Sequence, residues 1–316
     1  MAARIIRGWR DLPDDLKGAA VAVGAFDGVH RGHQAVIADA ARAAHHLNAP
    51  LGVVSFDPHP RRFFQPDAAP FGLMTPDQMA EALGERDVER LYLLPFDAEM
   101  AGMSDRDFAE RVLAGGLGIR HAAVGFDFTF GKGRTGSPEA LRGYGADLGF
   151  TVSTTERRDD RDGLKLSSSA VREALKAGDM ARAAAILGRP FAIAGEVVHG
   201  DKRGRTIGVP TANVPLGGYM RPAFGIYATR TRLPDGRVFD GVASLGVRPM
   251  WETPEPLLEV WLFGFDGDLY GQIIETQLVA YLRPEMTFDG LGALKVQIDA
   301  DADAARSVLA ATPASR

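Results

Sequence analysis

Three stretches of the chain bring chemically capable side chains to close spacing. In VAVGAFDGVHRGHQAVIADA an apolar run meets Gly24, a helical pattern begins near Gly32, and His30 and His33 stand three apart at the junction. Free N–H groups at a helix start, two imidazoles, and glycines that admit a ligand to the backbone (Gly24, Gly28, Gly32) suit phosphate oxygens. Each histidine alone reads better as part of a glycine-rich surface turn, whereas the whole string after a strand reads better as a phosphate site. In LSSSAVR, Ser167, Ser168 and Ser169 open a helical run and Arg172 supplies a planar cation. The three serines alone also read as an ordinary helix cap. In GEVVHGDKRGRTIGVPTANV, Gly200, Gly204 and Gly208 recur among Lys202, Arg203 and Arg205, giving a cationic loop able to cover polyphosphate. Thr211 and Asn213 alternate along the strand that follows, so they share a face, and a hydroxyl with an amide oxygen suits Mg²⁺. Alone, that loop is also an unremarkable basic turn.

The elements that must hold these groups differ between the two halves. From Ala19 to Leu187, apolar runs (AAVAVGAF, LGVVSF, VERLYLLPF, HAAVGF) alternate with helical stretches such as HQAVIADAARAAHHL and DRDFAERVLAGGL. That alternation predicts an α/β, Rossmann-like parallel sheet, with its ligand at the carboxyl ends of the strands. After Gly188 come short strand-like runs (FAIAGEVV, GIYATRTRL, RVFDGVASLGV, LLEVWLFGF, ETQLVAYL) separated by glycine, proline and Asp-Gly turns. They predict an antiparallel β-barrel, with LGALKVQIDADADAARSVL as a terminal helix across it. The expected domains are 1–187 and 188–316, divided where a helix ends in Gly188 and Pro190.

Composition narrows the classes. The 316 residues are 46% hydrophobic and 24% charged, as in ordinary globular proteins, and they fit about two domains. A net charge of −5 argues against a nucleic-acid coat or a polybasic membrane binder. With no cysteine, disulfides, thiolate metal sites and thiol nucleophiles are excluded. No apolar run reaches membrane-spanning length, and the N-terminal MAARIIRGWRDLPDDLKG lacks the apolar core of a secretory signal, so a cytoplasmic protein is expected.

The motifs carry a resemblance. GAFDGVHRGH resembles the GxFDGxHxGH signature of the nucleotidylyltransferase superfamily, and LSSSAVR its ISSTxIR signature. FDPHP and VGFDFTFGKGRTG resemble segments beside the ATP and flavin pockets of the FAD synthetase branch, which makes Asp57, His59 and Asp127 flavin-binding candidates. The third stretch resembles the GxPTAN signature of riboflavin kinase, and PAFGIYAT, GVASLGVRPMW, LEVWLFGFDGDLYGQ and LRPEMTF continue that likeness. Nearly the whole chain is thus similar to the bacterial bifunctional riboflavin kinase/FAD synthetase family. The resemblance implies riboflavin phosphorylation by ATP to FMN in the barrel, then AMP transfer from ATP to FMN in the first module, giving FAD and pyrophosphate. It implies Mg²⁺ with ATP, no nucleic-acid or membrane partner, and Glu259 as the kinase base. It places His30, His33, Gly24, Phe26, Asp27, Gly28, Gly32, Ser167, Ser168, Ser169 and Arg172 around the adenylylated phosphates. Gly200, Lys202, Gly204, Arg205 and Gly208 fall around the kinase nucleotide, and Thr211 and Asn213 at its metal. Oligomeric state is left open.

Other matches and departures bound this reading. GKGRTG fits G-x-G-x-x-G with Glu156 downstream, but Asp127 and Thr129 interrupt the strand a dinucleotide site requires. Gly131–Lys132 lacks the remaining residues of a phosphate-binding P-loop. Ala25 and Ala170 stand at variable positions of the two signatures. Trp261 replaces the family's usual His and Gly264 its usual Asp on the strand of Glu259, and strand alternation puts Trp261 on the face of Glu259. Two rivals remain: a nucleotidylyltransferase of other specificity fused to an unrelated barrel, and a flavin carrier whose kinase half has lost activity.

Overall fold

The computed structural model describes residues 1–156, 166–200, 208–247 and 255–313. The chain packs as two units, Met1–Ala68 with Pro76–Leu166, and Ala69–Thr75 with Ser167–Arg316.

The first unit is built on six strands: β1 (Arg4–Arg7), β2 (Ala20–Val23), β3 (Leu51–Asp57), β4 (Arg90–Pro95), β5 (His121–Gly125) and β6 (Thr151–Thr155). They form one sheet in the order β1-β4-β3-β2-β5-β6, every neighbouring pair parallel. All four residues of β2 are buried, as expected for a central strand covered on both faces. The cover includes α1 (Arg31–Leu47), α3 (Pro76–Gly84) and α6 (Pro138–Leu148), with the short α2 (Pro60–Phe64) after β3 and the short α4 (Ala98–Gly102) and α5 (Asp105–Asp107) after β4. Chain order reverses between β2 and β5, so the carboxyl ends of these two strands flank the switch point where such sheets hold ligands. The sheet is thus the expected α/β architecture, with β1 and β6 as additional edge strands.

β6 is a polar strand, TVSTT, and its hydroxyls have a use. His121 on β5 is 7% exposed, with Nδ1 2.7 Å from Thr151 Oγ1 and Nε2 2.8 Å from Ser153 Oγ. Burial holds its pKa below the usual imidazole value, against a smaller opposing pull from Asp39.

In the second unit α7 (Ser168–Lys176) and α8 (Met180–Leu187) precede six strands: β7 (Phe191–Glu196), β8 (Ala212–Pro215), β9 (Gly225–Arg232), β10 (Val238–Val247), β11 (Pro256–Leu262) and β12 (Ile273–Arg283). Their order is β7-β12-β9-β10-β11-β8, all pairs antiparallel. A bridge between Val198 and Asn213 brings the chain after β7 alongside β8 and nearly closes the barrel. Along β11, Leu258, Val260 and Leu262 are buried on the inner face. The terminal helix α9 (Leu291–Ala311) covers part of the outer face, where Ala302, Ala305 and Leu309 pack with Ala228 and Val242. The small alanines let the helix approach the sheet closely.

Packing divides the chain earlier than the Leu187/Gly188 boundary read from the sequence. Ala223 N–H donates to Leu175 O at 2.9 Å, and Gly178 lies against the Tyr281 ring, so α7 and its continuation belong with the barrel. The segment Ala69–Thr75 joins them: Gly72 bridges Tyr219, and Met220 N–H donates to Gly72 O at 2.9 Å. The change from helix-rich to strand-rich sequence marks where element types change, not which sheet a helix covers.

The His121 environment has a pH consequence. Its folded pKa is depressed, so the unfolded chain binds the extra proton first as pH falls. The stabilisation is therefore present above the ordinary imidazole pKa of about 6.5 and is lost as pH drops below it. The urea midpoint should fall between about pH 7.5 and pH 5.5, and His121→Gln, which cannot titrate, should flatten that slope. An unaltered slope in the variant would remove His121 from the account.

Candidate functional site

The first candidate site is the turn between β2 and α1. Gly24 N–H donates to Val54 O at 3.1 Å, and Ser55 Oγ donates to Ala25 O at 2.9 Å, so β3 fixes where the turn leaves the sheet. Phe26, Gly28 and Val29 then have φ of 49°, 88° and 42°. Left-handed Phe and β-branched Val are strained, and such strain persists only where the surroundings fix it. Here Val29 N–H donates to Phe26 O at 2.9 Å and Gln34 Nε2 donates to Val29 O at 2.9 Å.

His30 is the cap of α1, and its Nδ1 accepts from His33 N–H at 3.2 Å. That bond fixes the imidazole orientation. The His30 and His33 rings stack with centroids 3.5 Å apart, and Phe26 lies 5.1 Å from His33. Asp27 and His30 are buried, at 7% and 6% exposure. Gly32 is sterically required: a Cβ there would lie 2.8 Å from Leu166 O and 3.1 Å from the His30 ring. The structure thus gathers Gly24, Phe26, Asp27, Gly28, His30, Gly32 and His33 into one turn at a helix N-terminus, as their spacing predicted.

The flavin candidates lie at or beyond the carboxyl ends of β3 and β5, the two strands that flank β2. Asp57 ends β3 and pairs with Arg7 at 3.4 Å. His59 caps α2, accepting from Arg61 N–H at 3.0 Å. Asp127 is exposed in the turn after β5. Sequence reasoning passed over a run of phenylalanines at this same edge. Phe96 meets Phe56, Phe63 and Phe64 at centroid distances of 5.6, 5.5 and 5.7 Å, and Phe64 is 65% exposed. The signal was available in FDPHPRRFF and PFDAE, but only the fold brings Phe96 to Phe64.

The serine signature begins α7 and belongs to the second unit. Ser167 caps the helix, accepting from Ala170 N–H at 3.2 Å, and Ser168 and Ser169 form its first turn. Arg172 donates from Nε to Phe71 O at 2.8 Å and lies over the Phe71 ring, so part of its guanidinium tethers the Ala69–Thr75 segment.

The second candidate site lies on the barrel. Asn213 stands opposite Glu259 across β8–β11, and Glu259 opposite Ser244 across β11–β10, so all three share one outer-facing row. Asn213 is 6% exposed, and its side-chain amide lies against Gly200, where a Cβ would collide with it. Gly200, Asn213 and Glu259 are therefore brought together. Thr211 precedes β8 and Gly208 has φ 74°, while Lys202, Gly204 and Arg205 lie outside the described residues. Register confirms that Trp261 shares the face of Glu259, but its indole packs in the apolar cluster under α9, 5.4 Å from Phe263. Gly264 has φ 70° in the turn that ends β11, a conformation that glycine adopts without strain.

Comparison with known proteins fits both halves. The FAD synthetase family profile matches residues 12–170 and the riboflavin kinase profile residues 187–309. The bifunctional riboflavin kinase/FMN adenylyltransferase of Pseudomonas fluorescens is 43% identical over 97% of this chain and 98% of its own length. The one from Escherichia coli K12 is 37% identical over 98% and 99%. A crystal structure of a Streptococcus pneumoniae chain described as a macrolide-efflux protein superposes with TM-score 0.83 at 30% identity, covering 97% of this chain and 99% of that one. Among the described residues no helix is long and apolar enough to cross a membrane. With both motif sets in place on their expected elements and both profiles matched in order, the chain belongs to the bifunctional riboflavin kinase/FAD synthetase family.

Proposed function

We propose that the two activities of this bifunctional riboflavin kinase and FAD synthetase are carried by the two residue sets described above. The observation that carries the assignment is the row Gly200–Asn213–Glu259 on one unit and the strained His30/His33 turn on the other. We assign adenylylation to 1–187 and the kinase to 188–316, with α7 and α8 as packing support for the barrel.

In the kinase half, Glu259 accepts the proton of the terminal ribityl hydroxyl as that oxygen attacks the γ-phosphorus of ATP, and ADP leaves. The 200–208 loop, with Lys202, Gly204 and Arg205, covers the phosphates. Thr211 and Asn213 are hard oxygen donors beside that loop and fit Mg²⁺, which when bound neutralises phosphate charge.

In the other half, a phosphate oxygen of FMN attacks the α-phosphorus of ATP and pyrophosphate leaves. His30, His33 and the α1 N-terminus stabilise the charge that grows on the phosphates, and preorganised donors of this kind act without reorganising. Ser167, Ser168, Ser169 and Arg172 hold the nucleotide phosphates. Asp57, His59 and Asp127, beside the exposed Phe64, line the flavin, whose flat ring suits an aromatic surface. Dependence on ATP favours a cytoplasmic location.

Three outcomes test this. His30→Ala/His33→Ala should lower FAD formation from FMN by about 10²–10³ per donor lost and leave riboflavin phosphorylation nearly intact; full FAD synthesis would end the assignment. Glu259→Gln keeps shape but takes up no proton near neutrality, so kcat for riboflavin should drop roughly 10²–10⁴ while FAD synthesis persists. A rise in KM with kcat kept would make Glu259 a flavin-positioning group instead. A fragment beginning at Ser167 should phosphorylate riboflavin and make no FAD, and a folded but inactive fragment would show that the first unit completes the kinase.

A further inference from the structure

One carboxylate near the kinase row has no role in the scheme above. On the face shared by Asn213, Glu259 and Ser244, the next pair along is Leu257 opposite Gly246. Gly246 has no side chain, and the Glu285 carboxylate occupies that place: a Cβ on Gly246 would collide with it. Gly246 is the diagonal cross-strand neighbour of Glu259, a spacing of roughly 7–8 Å that two glutamate side chains span.

Glu285 lies in the connection between β12 and α9, and the start of that connection is tied to the helix. Arg283 forks onto Asp301 of α9, Nε to Oδ1 at 2.8 Å and Nη2 to Oδ2 at 2.6 Å, and Gln297 donates to the same Oδ1 at 2.9 Å. Arg283 Nη1 also donates to Pro284 O at 2.8 Å, next to Glu285.

Direction across the sheet decides what Glu285 meets. The nucleotide phosphates belong on the Gly200–Asn213 side of Glu259. A hydroxyl attacking in line puts its own chain on the opposite side of the base, toward Ser244 and Glu285. Two carboxylates on one row repel unless donors lie between them, and a polyhydroxylated chain supplies such donors. We propose that Glu285 is a specificity residue for the flavin acceptor, accepting hydrogen bonds from the secondary hydroxyls of the ribityl chain. This rests on the reading of Glu259 as base.

The test uses the full-length enzyme with riboflavin and with a flavin carrying a 10-(5-hydroxypentyl) chain, which keeps the terminal hydroxyl and lacks the secondary ones. Glu285→Ala should raise KM for riboflavin roughly tenfold or more, as expected for hydrogen bonds to a charged acceptor, with KM for ATP unchanged. The hydroxypentyl flavin should not respond to the substitution. Glu285→Gln, which keeps one acceptor oxygen and the side-chain shape, should recover part of the riboflavin affinity. Equal losses on both flavins, or a rise confined to KM for ATP, would overturn the proposal. Glu259→Gln is assayed alongside: if it keeps kcat while the flavin-selective loss at Glu285 stands, the base assignment fails and the acceptor contact survives.

Discussion

The kinase half depends on how Asn213 is held by its backbone. Its carbonyl accepts from Val198 N–H at 2.9 Å, which nearly closes the barrel, and β8 pairs it with Glu259 on the other side. Closure and site assembly are thus the same interaction. A slip of one residue in the β8–β11 register would turn Asn213 and Glu259 to opposite faces. It would also expose the buried Val214, 0% accessible, on the wrong side, at about 1.5–3 kcal/mol for that side chain alone. The inner-face hydrophobics therefore enforce the pairing that the outer-face polar residues require. Close approach of Gly200 to the Asn213 amide adds a steric condition, because a side chain at 200 would collide with that amide.

The nucleotidyl half meets its requirement differently, by local backbone strain. Phe26 and Val29 adopt left-handed conformations that cost of order 1–3 kcal/mol each. The strain turns the chain sharply enough for α1 to start with His30 as its cap and for His30 and His33 to stack. Buried partners hold it, with Phe26 1% and Val29 0% accessible, and Ser55 fixes the turn from the adjacent strand. A relaxed turn would lose the imidazole pair, because the cap bond from His33 N–H to His30 Nδ1 forms only with His30 extended at the helix entrance.

Much of this was legible in the sequence, for reasons that differ by element. The buried strands β2 to β5 read directly as apolar runs, and the barrel strands as alternating runs between glycine turns. β1 and β6 were not read: RIIR is short and flanked by arginine, and TVSTT has a single apolar residue, Val152, among hydroxyls of which Thr151 and Ser153 serve His121. The motif residues of the β2–α1 turn and of β8 and β11 were legible because their spacing is local. The Phe56–Phe64–Phe96 surface was not, since it joins residues from separate connections, and neither was the Ala69–Thr75 strap on the barrel unit. Left-handed Phe26 and Val29 are invisible to propensity, which favours neither.

The departures of this chain from its family pattern make sense once α9 is considered. Trp261 stands one step along the face from Glu259, where a polar residue would border the site, yet its indole packs with Phe263, Val308 and the buried Ala305 under α9. An aromatic here gains burial against the terminal helix and gives that helix a fixed seat. The helix is fixed again at the Arg283–Asp301 pair, whose side chains are 18% and 8% exposed. Removing one partner of a pair buried this deeply typically costs about 3–5 kcal/mol, more than most single contacts in the barrel. Seat and clamp act on the same helix, and its order, together with Arg283 on Pro284 O and over the Phe288 ring, holds the chain that leads into it, Pro284 to Gly290. The packing of Trp261 therefore supports the row of Glu259 from one side through the helix that positions the other side, and a change in polarity at 261 need not signal a lost kinase.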